Sequence, residues 1–354
     1  MAKMKVGIIG SGGRSRLYID AIKLLKDDFE LVQMRFRTRE KAELFAKEYG
    51  IPVTTSVDEL KSAKPAFVVN AVNRPDVGKV TMADFLDDGI PVLAETPPAE
   101  SFDEVRELWN KTAEKNYKIL VAENYFAEPG WAARLEAARR GYLGDVQAIT
   151  VSNTHEYHAI SMIRLFLNCE YTPLSVIGKK MMIDLTLTQE KDGTPIRDGR
   201  TEKVERYHTL LNFENGKTGI YDFAIAQYWS AIRSRYCMIQ GSKGEIKDDE
   251  IWYLDKNYDP KQAAFRRNTR GDDLLSISIG DELVYENKLI AKGVGRNLGI
   301  CHMLLNMKRY LETGDAPYPF KSAMQDTYIT QLFLEAGRRP FELIKSEKQP
   351  WVNS

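Results

Sequence analysis

The sequence predicts an α/β chain that opens on a doubly wound parallel sheet and continues into an α+β part with an open, mostly antiparallel sheet. Three observations carry this expectation. An apolar run, Val6 to Ile9, ends in Gly10-Ser11-Gly12-Gly13 and passes into apolar residues at helical spacing. Strand-like and helix-like stretches then alternate to about residue 122, and strands joined by helices of that length pair in parallel, because a hairpin cannot connect parallel neighbours. Beyond about residue 125 longer alternating runs are divided by Asn215-Gly216 and Gly241-Ser242, the pattern of antiparallel strands and their turns. A division into 1–124 and 125–354, with the last helices packing back toward the first part, is expected.

The elements follow in order. Leu17, Ile19, Ala21, Ile22, Leu24 and Leu25 mark the first helix, Glu30 to Phe36 the second strand, and Glu40 to Tyr49 a helix stopped by Gly50 and Pro52. Ala66 to Val72 reads as a buried strand, Val77 to Asp88 as a helix, Pro91 to Ala94 as a strand, Phe102 to Asn116 as a helix and Lys118 to Ala122 as a strand. In the second part a helix is predicted over Trp131 to Arg140. Strands are predicted over Val146 to Ser152, Ser175 to Leu187, Tyr207 to Phe213, Thr218 to Ala226 and Tyr236 to Gln240. A helix over His158 to Leu167 lies between the first two, and two more, Leu298 to Leu311 and Ala323 to Arg338, close the chain. The charged segment Asp255 to Asp273 lacks clear periodicity and is expected to be a long loop.

Composition narrows the partners. Of 354 residues, 43% are hydrophobic and 28% charged, which is globular. Fifty basic residues balance fifty acidic ones, so no global field draws a nucleic acid or an anionic membrane. No charged-then-apolar leader and no run of about twenty apolar residues is seen, so a cytoplasmic location and no membrane partner are expected. Cys169, Cys237 and Cys301 are few and scattered, as buried reduced thiols are. A small-molecule substrate is the expected partner.

The turn Gly10-Ser11-Gly12-Gly13-Arg14-Ser15 supplies the first two glycines of G-x-G-x-x-G, with Ser15 at the third place. It follows a predicted strand and opens a predicted helix, the context in which that pattern holds a dinucleotide in a Rossmann fold. Gly10 permits the sharp turn, Gly12 lets pyrophosphate approach the main chain, and the helix start offers unpaired amides to an anion. At the end of the second strand, where a carboxylate commonly binds the ribose of NAD, stand Arg35-Phe36-Arg37-Thr38-Arg39. Arg37, Thr38 and Arg39 are suited to gripping a 2′-phosphate, so NADP(H) is preferred and NAD(H) is possible.

These features, with the segments after them, resemble the Gfo/Idh/MocA family of nicotinamide-dependent dehydrogenases and reductases. Val69-Asn70-Ala71-Val72-Asn73 matches the loop after a parallel strand that passes the cofactor, and Gly89 to Pro97, ending Glu95-Thr96-Pro97, is similar to the family's glycine-to-Glu-Lys-Pro stretch. The resemblance therefore places Ala71, Val72, Asn73, Glu95, Thr96 and Pro97 at the cofactor. Val121 to Tyr125 resembles the strand that hands over to the second domain, and His158 onward resembles the helix that begins with the active-site histidine. It further implies an oxidoreductase acting at a carbonyl or alcohol carbon, on a sugar or sugar derivative, and an oligomer, dimer or tetramer, built on the outer face of the second sheet. Thr96 stands where the family has lysine, and Thr154 where it usually has an acid one turn before the histidine, so both usual charged partners of the histidine are expected to be missing.

Asn153-Thr154-His155-Glu156-Tyr157-His158 is the densest polar cluster and holds two of the four histidines. His158 is the first candidate for proton transfer, since histidine titrates near working pH, with His155 and Tyr157 as second choices. Tyr125, Thr96 and Trp229 are candidates for substrate contact. His155, Glu156 and His158 can also be drawn as zinc ligands, but neighbouring positions diverge on a strand and no other Cys or His completes a set, so no metal is expected. Helix capping and core packing are the alternative role of the cluster. A dinucleotide-binding protein without catalysis, and a lyase using a retained dinucleotide, stay open as other functions.

Overall fold

The computed structural model describes residues 2–72 and 82–353. Asn73 and the start of the helix expected from Val77 lie outside the described residues. Six short strands form the first sheet: β1 Met4–Ile9, β2 Phe29–Arg35, β3 Val53–Thr54, β4 Phe67–Asn70, β5 Val92–Ala94 and β6 Ile119–Val121. They pair in parallel in the order β3-β2-β1-β4-β5-β6. β4, β5 and β6 are buried at every position, as strands covered on both faces must be. Helices α1 Gly13–Leu24, α2 Arg39–Tyr49, α3 Val57–Ser62 and α4 Phe102–Lys115 belong to this part. Local chemistry ends several of them. The α4 N-cap Ser101 accepts from the Glu104 amide, and Gly50 closes α2 at φ +63°. The sheet order reverses between β1 and β4, and the crevice beyond the carboxyl ends of such strands is where this topology takes ligands.

The second sheet has eleven strands: β7 Val146–Ser152, β8 Leu174–Thr186, β9 Thr201–Phe213, β10 Thr218–Ala224, β11 Tyr236–Gly241, β12 Gly244–Lys247, β13 Glu250–Leu254, β14 Pro260–Arg270, β15 Asp273–Ile279, β16 Glu282–Glu286 and β17 Ile344–Lys345. Their order is β16-β15-β14-β13-β12-β11-β7-β10-β9-β8-β17, and β7 with β10 is the parallel pair in an otherwise antiparallel sheet. The remaining helices are α5 Pro129–Arg139, α6 Glu156–Leu167, α7 Leu298–Thr313 and α8 Phe320–Arg338.

Two expectations need correction. The segment Asp255 to Asp273 is no loop, since Pro260–Arg270 is β14, bonded to β13 and β15. In that strand Phe265 alone is buried, so main-chain pairing holds it with almost no apolar alternation to betray it. Helix α6 also starts two residues earlier than predicted, at Glu156. No side chain nearby caps it. The Glu156 and His155 amides instead donate to the hydroxyls of Tyr221 and Tyr228, at 3.0 and 3.1 Å, from β10 and the turn after it, and a cap supplied from afar leaves no trace in local sequence.

The inner face of the second sheet, with Val151, Val176, Leu211, Tyr221 and Phe223 buried, packs against α6 and α8. Within that core the Tyr157 hydroxyl bonds Tyr318 at 2.7 Å, the Tyr318 hydroxyl donates to Asp326, and Asp326 pairs with the buried Arg164. Other contacts join the two sheets. Trp351, wholly buried, meets Trp109 of α4 edge-on and donates through its indole N–H to Gln325 of α8 at 2.7 Å. Lys292 and Lys308 both reach Asp28 at the start of β2, and α7 lies against α1. The carboxyl ends of β1, β5 and β6 therefore face the amino end of α6 across a shared cleft.

Candidate active site

The cleft starts at the glycine turn. Gly10 has φ +122°, and a Cβ there would lie 2.7 Å from the Ala71 carbonyl oxygen, so the turn is closed to any side chain. At Gly12 and Gly13 a Cβ would meet nothing within 4 Å. No side chain caps the amino end of α1, which leaves its first amides free for an anion. Ser15 Oγ and Glu95 Oε1 are buried polar atoms without a hydrogen-bond partner at this same place. Open space over two glycines, an uncapped helix start and orphaned buried oxygens are what a dinucleotide pyrophosphate and its ribose require, so the residues fit that group. Ala71 is buried and Val72 half-buried at the end of β4.

At the end of β2 the structure separates the residues of the basic stretch. Phe36 turns into the core, 1% exposed, with its ring 5.0 Å from that of Phe45. Arg37 and Thr38 are exposed, and Thr38 is the N-cap of α2 without a side-chain capping bond. Arg39 is paired with Glu43 one turn along α2 at 3.0 Å. Of the basic residues expected at a 2′-phosphate, Arg37 thus stands beside a free hydroxyl at a helix start, while Arg39 is already engaged.

Arg14 in the first turn of α1 reaches across to Glu95, which follows β5, with Nε 3.1 Å from Oε2. Burial pushes the Glu95 carboxyl above the usual carboxylate range, opposed by the Arg14 charge. Beyond Glu95 comes Thr96, whose Oγ1 lies 3.4 Å from His158 Nε2. On the other side of the ring, His158 Nδ1 lies 2.7 Å from Glu123 Oε2. Histidine and carboxylate are 3% and 0% exposed. The second Glu123 oxygen accepts from the Tyr125 amide at 2.8 Å, so the carboxylate is held at both ends. Tyr125 stacks on the imidazole, ring centres 4.4 Å apart.

Glu123 corrects the expectation that His158 lacks an acidic partner. The acid comes from the residue after next beyond β6, not from the turn before α6, where Thr154 Oγ1 bonds Tyr228 at 3.1 Å instead. Tyr228, at the end of a short 3-10 turn, is a second residue that sequence reasoning missed. Its hydroxyl lies 2.7 Å from His155 Nδ1, 3.1 Å from the His155 amide and 3.5 Å from the Tyr125 hydroxyl. The nearest signal is the aromatic pair Tyr228-Trp229, of which the sequence pattern singles out only Trp229. Trp229 is half-buried beside Tyr228, with Lys191 Nζ 5.2 Å from its ring centre. The His155 ring meets that of His158 edge-on at 5.0 Å. Tyr157 is not brought into this group by its hydroxyl, which is bound to Tyr318 in the core. Pro97 follows Thr96 through a cis peptide.

This arrangement is suited to moving a proton. Glu123 fixes the imidazole's orientation through Nδ1, and Nε2 is presented beside Thr96, on the side of the glycine turn. Aromatic rings on either side limit access of water.

Residues 4–123 match the model described as an oxidoreductase family with the NAD-binding Rossmann fold, Gfo/Idh/MocA. An uncharacterized oxidoreductase of Schizosaccharomyces pombe is 26% identical over 149 residues, which is 41% of this chain; the match spans 40% of that relative's length. A crystal structure of an NAD-binding oxidoreductase from Klebsiella pneumoniae superposes with a TM-score of 0.73 at 16% identity, covering 98% of this chain and 100% of the other. The WlbA dehydrogenase from Bordetella pertussis, in complex with NADH and UDP-GlcNAcA, gives 0.68 at 12% identity, covering 98% and 99%. At these identities the likeness is one of fold.

Burial pushes His155 down from 6.5 to about 3, assisted by the charges of His158 and Arg14. The folded state thus refuses a proton that the unfolded chain takes up below pH 6.5, so stability is complete above that value and falls on acidification toward about 3. The slope from one such group is at most about 1.4 kcal/mol per pH unit. We expect the melting temperature to drop between neutral pH and about pH 5, and to drop less steeply in His155→Gln. His302, which burial also lowers, is common to both proteins. Parallel melting curves for the two would refute the assignment.

Proposed function

We propose that this chain, whose residues 4–123 match the Gfo/Idh/MocA oxidoreductase model, is an NAD(P)(H)-dependent oxidoreductase of that kind acting on a carbonyl or alcohol carbon of a small molecule, with a preference for NADP(H). The observation that carries the reading is the line Glu123, His158, Thr96 beside the open glycine turn, with the histidine 2.7 Å from its carboxylate. Gly12, Gly13 and the first amides of α1 would hold the pyrophosphate, Arg37 and Thr38 the adenosine 2′-phosphate, and Glu95 with Thr96 the nicotinamide end. When bound, the reduced cofactor supplies a hydride to a carbonyl carbon. His158 supplies the matching proton from Nε2 to the oxygen, Glu123 holds Nδ1 throughout, and Tyr125 packs against the ring and keeps its plane. Arg14 and Glu95 tie the glycine turn to the loop after β5, so that cofactor and proton donor are set by adjacent strands. That WlbA is a dehydrogenase crystallised with a sugar nucleotide supports a sugar or sugar derivative as substrate.

The cofactor preference rests on Arg37. A charge-assisted contact contributes about 1.5 to 3 kcal/mol, or roughly ten- to over a hundred-fold in affinity. Calorimetric titration is expected to show NADPH binding more tightly than NADH, and Arg37→Ala to weaken NADPH by at least about ten-fold with NADH changing less. Equal affinities in the unaltered protein would sink the preference and leave the dinucleotide fold intact.

For His158 the informative variant is His158→Asn, whose amide keeps a donor near the Nδ1 position and so spares the buried Glu123 an unpaired charge. Turnover of whichever carbonyl a substrate panel identifies is expected to fall about 10²-fold or more, with an unchanged melting temperature and cofactor affinity. Full activity in this variant would remove His158 from the mechanism.

The outer face of the second sheet supports self-association. Ile177, Leu210, Ile220, Thr150 and Met238 lie in register across β8, β9, β10, β7 and β11, on the side away from the helices. Ile220 is 38% exposed. A second copy of the chain, pairing its own row against this one, would bury a stripe too apolar to leave wet. Light scattering at micromolar concentration should report a dimer or tetramer, and Ile220→Glu should lower the mass; a monomer in the unaltered protein would contradict the pairing.

A further inference from the structure

We infer that His155, held by Tyr228, is a second substrate-facing group: a neutral imidazole whose Nε2–H donates a hydrogen bond to the same substrate oxygen that takes the proton of His158. This rests on the redox reading above and adds to it the group that polarises the oxygen.

Three observations place it. The His155 ring is half-buried and stands edge-on to His158 with centres 5.0 Å apart, within the width of one substrate group. Its Nδ1 lies 2.7 Å from the Tyr228 hydroxyl, while its Nε2 has no bonding partner among the described residues. The Tyr228 oxygen already accepts the His155 main-chain N–H at 3.1 Å, so the phenol is anchored as an acceptor and is left with one proton to give. Of the places that proton can go, His155 Nδ1 at 2.7 Å is closer than Thr154 Oγ1 at 3.1 Å or the Tyr125 hydroxyl at 3.5 Å, and the proton given along the shortest contact makes Nδ1 the acceptor. A neutral imidazole accepting at Nδ1 must carry its hydrogen on Nε2.

The surroundings keep the ring neutral. Burial opposes its charge, and the nearby His158 and Arg14 oppose it further. Tyr228 meets it directly, and the hydroxyls of Thr154 and Tyr125 meet Tyr228 behind it, none of which offers a carboxylate. The Glu123 carboxylate is engaged with His158 and the Tyr125 amide. His155 therefore keeps its proton through the reaction. The proton that the substrate oxygen gains comes from His158 Nε2, and His155 only stabilises the charge that develops there, as a prearranged donor in a dry site does. Tyr228 is a positioning residue, setting which nitrogen bears the hydrogen.

The chain has four histidines, so nitrogen-15 labelling of histidine alone gives a spectrum that single variants assign. At neutral pH, with and without NADPH, His155 is expected to show a protonated Nε2 and a bare Nδ1, and to stay neutral on acidification to about pH 5. Tyr228→Phe is expected to mix the two tautomers. A hydrogen on Nδ1, or a charged ring near pH 6, overturns the inference whether or not a substrate is known. With an active carbonyl substrate, His155→Ala is expected to cost about 10²-fold in kcat. His155→Gln, whose amide reaches the Nε2 position, should recover more of that loss than His155→Asn. An active protein indifferent to His155→Ala refutes this inference and spares the redox reading. An unaltered protein that binds NADPH but reduces no carbonyl refutes the redox reading, and the substrate role of His155 falls with it.

Discussion

The bond between Glu123 and His158 is the constraint on which the site depends. A carboxylate with no solvent exposure is tolerable only if its oxygens are paired, and Glu123 pairs one with an imidazole from the second part of the chain and the other with the Tyr125 amide. The end of β6 and the first turn of α6 are thereby held within hydrogen-bond reach. Everything else in the cleft is placed relative to that join: Thr96 on the free side of the imidazole, Tyr125 on its face, His155 at its edge.

Around this join the packing is arranged so that the cleft cannot open without loss elsewhere. Trp351 ties α4 to α8, and Lys292 with Lys308 ties α7 to the start of β2. Partly exposed ion pairs of this kind contribute modestly, whereas a wholly buried indole with its N–H satisfied contributes both area and orientation. The buried chain Tyr157, Tyr318, Asp326, Arg164 does the same behind α6, which is why Tyr157 serves the core and its neighbour His158 the cleft. Successive positions on a helix face different ways, and one residue decides between the two roles.

Much of the cofactor half is legible in the amino-acid sequence. A dinucleotide turn is a local device: Gly10, Gly12 and the start of α1 are contiguous, and their demands on backbone angle and space are met by residue type alone. Phe36 is legible as the absence of a carboxylate, though not as a core side chain packed on Phe45. The catalytic half is legible only as a cluster of polar letters from Asn153 to His158. Its acid lies 35 positions earlier and its phenol 73 positions later, and no periodicity connects them. β14 escapes for another reason, because ten of its eleven residues face outward or lie at intermediate depth, and main-chain pairing is written in no side chain.

Sequence by itself determined the alternation of strands and helices in the first part, its parallel sheet, the glycine turn, and the basic rather than acidic end of β2, since each depends on neighbours within one or two turns of chain. Tertiary structure alone decided that Glu123 supports His158, that Tyr228 holds His155, and that Tyr157 belongs to the core. Those choices are made by contacts between segments far apart in the chain, where the energy of a hydrogen bond depends on distances that only the folded packing sets.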